Sequence, residues 1–103
     1  MQATTCLDIR ATIERAAPEL RAAGIAALYL FGSQARGDAS EESDIDFLFE
    51  VKDEANARFS LLDQASLIVR LEGIFDRKVD FVERRALRPR IRERIENEMV
   101  RLF

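Results

Sequence analysis

Two aspartates one residue apart, Asp44 and Asp46, carry the strongest chemical signal in this 103-residue chain. They open an apolar run that continues through Phe47, Leu48 and Phe49. In a strand, residues i and i+2 point the same way, so both carboxylates project from one face. Two like charges there repel each other unless a cation lies between them. Carboxylate oxygens suit Mg²⁺, which takes one or two protein carboxylates together with substrate phosphates. Upstream, the apolar run Leu28, Tyr29, Leu30, Phe31 stops at Gly32-Ser33. A backbone without a Cβ lets a phosphate approach closely there, and the serine adds a hydroxyl. Ten residues separate Ser33 from Asp44. A third carboxylate, Asp80, interrupts the apolar part of residues 77–83 and can join the other two if that strand lies beside theirs. Three carboxylates can hold two divalent ions. Two ions about 4 Å apart stabilise the attacking and leaving oxygens of an in-line displacement at phosphorus.

The string Gly32-Ser33-x-Ala35-Arg36-Gly37, followed by Ser43-Asp44-Ile45-Asp46, resembles the signature of the nucleotidyltransferases of the DNA polymerase β superfamily. It resembles the minimal nucleotidyltransferases in particular, over nearly the whole chain. The resemblance implies an α/β fold, a small mixed β-sheet with helices packed against it, and a single minimal nucleotidyltransferase domain over residues 1–103. It implies that Asp44, Asp46 and Asp80 bind metal, and that Asp80 helps to activate an incoming hydroxyl. Gly32 and Ser33 would hold phosphates. Two Mg²⁺ ions are expected, with Mn²⁺ as the alternative. Attack at the α-phosphorus of an NTP would release pyrophosphate and leave a nucleoside monophosphate on the acceptor. Minimal nucleotidyltransferases are often paired with a small helical HEPN toxin, which they neutralise by transferring AMP from ATP to a tyrosine. By resemblance, then, the chain is expected to be an ATP-using antitoxin in complex with such a partner. Two other readings stay open: an antitoxin that acts by occlusion without turnover, and a nucleotidyltransferase whose acceptor is RNA or a small molecule.

Each residue has a plainer alternative. Arg36 suits a phosphate oxygen, or else pairs with Asp38 or Glu41. Asp80 binds metal, or else pairs with Arg77 or Lys78. The acidic loop lacks the central glycine and terminal glutamate of an EF-hand, and no Gly-Lys-Ser/Thr marks a Walker A loop.

Composition narrows the field. Hydrophobic residues make up 48% and charged residues 34%, which reads as a folded, soluble domain. No apolar run is long enough to span a membrane, and the N-terminus does not read as a signal peptide. The chain has no histidine, so a metal must be held by oxygen, and its single cysteine points to a cytoplasmic setting. Net charge is −3, unevenly spread: residues 84–103 hold seven arginines and three glutamates. The acidic remainder argues against nucleic acid as a direct ligand. The arginines of the tail (84, 85, 88, 90, 92 and 94) are either a solvated helix face or a docking surface.

The elements that must position these residues follow from periodicity. A helix is expected over 7–23 on a stripe of Leu7, Ile13, Ala16 or Ala17, Leu20 and Ala23, kinked or restarted at Pro18. Strands are expected at 26–31, 43–51 and 77–83, with Ile45, Phe47, Phe49 and Val51 on the core face of the second. A helix over 56–72 is expected to be capped by Asp53 or Asn56 and ended by Gly73, with Phe59, Leu62, Ala65 and Val69 as its stripe. A last helix, 87–99, carries Leu87, Ile91, Ile95 and Met99. Residues 100–103 form an edge strand or a docked tail.

Overall fold

The computed structural model describes residues 6–40, 42–53 and 58–103. Helix α1 spans Cys6–Ala22, strand β1 Ile25–Phe31, the short helix α2 Ser33–Arg36 and strand β2 Ile45–Val51. Helix α3 spans Leu61–Phe75, strand β3 Val79–Glu83, helix α4 Pro89–Glu98 and strand β4 Val100–Arg101, with a 3₁₀ turn at Arg84–Ala86. The four strands form one sheet in the order β3-β2-β1-β4. β1 runs antiparallel to both β2 and β4, while β2 and β3 are parallel and joined through α3. This is the mixed sheet with packed helices that the resemblance implies.

The sheet is buried on both faces. On one, Ile9, Ile13 and Leu20 of α1 and Leu67 and Leu71 of α3 pack with Leu28, Leu30, Phe47, Phe49, Val79 and Phe81. Phe49 and Phe81 stack at 4.2 Å between ring centroids. Each such side chain contributes about 1.5–3 kcal/mol on full burial. On the other face, Ala27, Tyr29 and Leu48 lie under Ile95 of α4, flanked by Phe31, Val82, Leu87 and Met99. The core face expected for β2 is therefore only half of its burial, because Leu48 is also fully buried, beneath α4.

Several helix details differ from the periodicity. α1 runs unbroken through Pro18. Pro18 is exposed, so water can serve the Glu14 carbonyl that proline leaves without a donor. Its buried stripe is Ile9, Ile13, Ala17 and Leu20; Leu7 is 76% exposed. α3 begins later than expected. Ser60 caps it in a reciprocal box: Asp63 N–H donates to Ser60 Oγ at 3.3 Å and Ser60 N–H to Asp63 Oδ2 at 2.8 Å. Neither cap expected from the sequence serves: Asp53 lies well upstream of the helix start at Leu61, and Asn56 lies outside the described residues. Gly73 falls inside α3, which ends instead at Asp76 in the left-handed region, φ 51°. Leu62 and Val69 are exposed, and Leu67 and Leu71 take the core. At the C-terminus both expectations hold: β4 pairs with β1, and Leu102 is buried behind it.

Candidate active site

The candidate residues gather where β1 ends and β2 and β3 begin. Asp46 and Asp80 are Cα partners across the parallel pair β2–β3, as are Leu48 and Val82 two residues on. Alternation along each strand puts the two carboxylates on the face that α4 covers. They lie beyond the apolar patch of Leu48, Val82 and Ile95. Asp44 precedes β2 and is half-buried, with Lys78 Nζ 3.9 Å from its Oδ2. Asp46 is the most strongly perturbed carboxyl. Burial, then a shared hydrogen bond with Asp80, then the charges of Asp80 and Asp44 push its pKa up to about 6; Arg36 pulls the other way.

Gly32 closes the other side. Its φ of +74° is a conformation that side-chain-bearing residues rarely adopt. A Cβ there would fall 3.2 Å from Asp46 Cγ and nearer still to Oδ2. The absence of a side chain at position 32 is thus what lets the loop lie against the carboxylate. Ser33 follows at the start of α2 and is half-buried. Its carbonyl accepts from the N–H groups of Gly37 and Asp38, which turns the chain away after one helical turn. Arg36 is exposed; its Nε donates to Asp38 Oδ2 at 3.2 Å and its Nη1 to Glu98 Oε2 at 3.1 Å. The expected pair with Asp38 is therefore present. The alternative partner Glu41 lies outside the described residues.

Glu98 is the residue that periodicity does not reveal. It ends α4, and its Oε1 accepts from Gly32 N–H at 3.2 Å. Arg84, grouped with the solvated tail arginines on sequence, turns inward instead. It pairs with Glu50 and Glu96 and donates to the Tyr29 hydroxyl.

Among the described residues, no three His, Cys, Asp or Glu side chains converge closely enough to form a ready-made metal cage. Even so, the donor set fits a hard divalent cation. All three side chains offer oxygen, and Asp46, whose proton affinity is raised first by burial and then by Asp80 and Asp44, is a carboxylate that such an ion would hold ionised.

Residues 12–102 match the family described as "Nucleotidyltransferase domain". The chain belongs to this nucleotidyltransferase family. As an enzyme it is a nucleotidyltransferase, and this family generally uses divalent metals. Two proteins of Methanocaldococcus jannaschii, both provisionally named protein adenylyltransferases, are similar to it. One is 36% identical over 81% of this chain and 85% of its own length. The other is 35% identical over 74% and 75%. A solved structure described provisionally as a minimal nucleotidyltransferase superposes with a TM-score of 0.78 at 35% identity, covering 93% of this chain and 94% of that one. The fold also recurs in a toxin–antitoxin structure with AMP-PNP, at TM-score 0.74 and 23% identity over 91% of this chain and 72% of that one. A Shewanella oneidensis complex of tri-AMPylated HEPN toxin with its MNT antitoxin shares it at TM-score 0.67 and 20% identity, over 91% and 71%.

Proposed function

We propose that this nucleotidyltransferase moves AMP from ATP to a hydroxyl of a partner protein, a tyrosine of a HEPN toxin, and so acts as its antitoxin. The observation that carries the chemistry is the pairing of Asp46 with Asp80 across β2 and β3, beside a loop whose glycine lies too close to Asp46 for any side chain. The acceptor and the nucleotide are supported by the kinds of protein this chain resembles: relatives named for protein adenylylation, and folds solved with AMP-PNP or beside an AMPylated toxin.

In this reading Asp44 and Asp46 hold divalent cations, Mg²⁺ by the hardness of their oxygens, and Asp80 shares one of them. Bound there, the ions supply positive charge against the triphosphate and the developing oxyanions. The Gly32 amide and Ser33 orient the phosphates, and Arg36 donates to a phosphate oxygen. Asp80 is the more exposed of the register pair and takes the acceptor side, drawing off the proton of the incoming hydroxyl. The acceptor oxygen forms its bond to the α-phosphorus as the bond to the bridging oxygen breaks, and pyrophosphate leaves with that electron pair.

The test uses the chain co-purified with the product of the adjacent gene, Mg²⁺ and α-phosphate-labelled NTPs in separate reactions. Label on the partner, from ATP above the other three, is expected for wild type and not for Asp44→Asn with Asp46→Asn. A double variant that still neutralises the partner without labelling it would favour occlusion.

A further inference from the structure

Glu98 reaches from the end of α4 to the loop that the proposed function assigns to the triphosphate. Its two oxygens are shared out, Oε1 to the Gly32 amide at 3.2 Å and Oε2 to the Arg36 guanidinium at 3.1 Å. An amide N–H and a guanidinium converging on two oxygens of one anion is also the donor set that a phosphate takes. Helix stability does not account for a glutamate here. A carboxylate in the last turn of a helix meets the negative end of the helix dipole.

We infer that Glu98 is an internal stand-in for phosphate, holding the Gly32 amide and Arg36 in the nucleotide-free chain and competing with the incoming triphosphate for both. The inference rests on the reading that Gly32 and Arg36 contact phosphate. Gly32 has one N–H, which cannot serve Glu98 and a phosphate oxygen at full strength together. A carboxylate left in place beside a triphosphate is also repelled by it. The competitor is tethered close by. Ile95 is buried under the sheet one turn earlier, and Val100 and Arg101 pair with Leu30 and Tyr29 just beyond. Release therefore needs only a side-chain rotation, and Glu98 sets nucleotide affinity without α4 leaving the sheet.

The test is calorimetric titration of the full chain with ATP, in EDTA and again with Mg²⁺. Wild type, Glu98→Gln, Glu98→Ala and Arg36→Ala are compared, with thermal melts to establish that each is folded. Glu98→Gln keeps the shape and removes the charge, so it carries the test even if Glu98→Ala does not fold. It is expected to bind ATP about fivefold more tightly, the scale of one partly shielded ion pair. Unchanged or weaker ATP binding by folded Glu98→Gln, with Arg36→Ala weakening it, overturns the role of Glu98 alone. ATP binding unaltered in Arg36→Ala overturns the phosphate reading of Arg36 and this inference with it.

Discussion

Gly32 and Asp46 lie so close that a Cβ on the glycine would fall 3.2 Å from the carboxylate carbon. The Gly-Ser signature and the Asp-x-Asp signature are thus two sides of one contact. Gly32→Ala must relieve both a collision and a left-handed φ of +74°. It should destabilise the fold by about 1–3 kcal/mol. ATP binding should fall more than in a variant equally destabilised elsewhere, as measured by urea melts and ATP titration side by side.

The crowding around Asp46 has a signed pH dependence. Its folded pKa of about 6 lies above the ordinary value of 3.8. The contribution to stability is therefore fully present below the ordinary value and is lost as pH rises through the folded one. Metal-free Asp46→Asn should melt higher than wild type at pH 8, by about 1 kcal/mol once solvent screening of a half-buried group is allowed for. The gap should close toward pH 4. Mg²⁺ should raise the melting temperature of wild type at pH 8 and do little for the variant. Thermal melts across pH, with and without the ion, check both.

Much of this site is legible in the order of residues, because strand periodicity is short and the two signatures flank one loop. The run from Leu28 to Phe31, the Gly-Ser stop and the alternation through Phe47 and Phe49 leave few other arrangements. Asp80 could be placed only conditionally, since nothing local says which strand β3 joins. α3 was harder. Leu61, Leu62, Leu67, Ile68, Val69 and Leu71 are apolar nearly all round the helix, so periodicity alone does not choose the buried face, and the packing exposes Leu62 and Val69. Leu7 and Ile9 pose the same ambiguity in α1. Glu98 left no signal at all. Its partners are far away in the chain, and the expected stripe of Leu87, Ile91, Ile95 and Met99 gives no hint of the residue that faces the loop; in the fold Ile91 is exposed, and Leu87 and Met99 flank α4, which spans Pro89–Glu98.

Asp80 and Asp46 are register partners but are proposed to differ in role. Asp80→Asn should lower transfer by about 10²–10⁴-fold, the range of a lost proton acceptor, while leaving ATP affinity little changed. Asp46→Asn should weaken Mg²⁺-dependent ATP binding as well. Single-turnover rates and calorimetry on the same preparations separate the two.

Ser60 provides a purely structural contrast. Its reciprocal hydrogen bonds with Asp63 start α3, on the side of the sheet away from the carboxylates. Ser60→Ala should cost about 1 kcal/mol, a drop in melting temperature of about 4–8 °C for a domain of this size. Transfer measured well below the melting temperature should be unchanged.

The most direct test of the account is the intact mass of the partner protein after incubation with this chain, Mg²⁺ and ATP. The account predicts that the partner gains one or more AMP units. It predicts no gain when Asp44→Asn and Asp46→Asn are combined in a chain that still folds and still binds the partner. A partner that stays bound and neutralised at unchanged mass, or a gain that persists in the double variant, would contradict it.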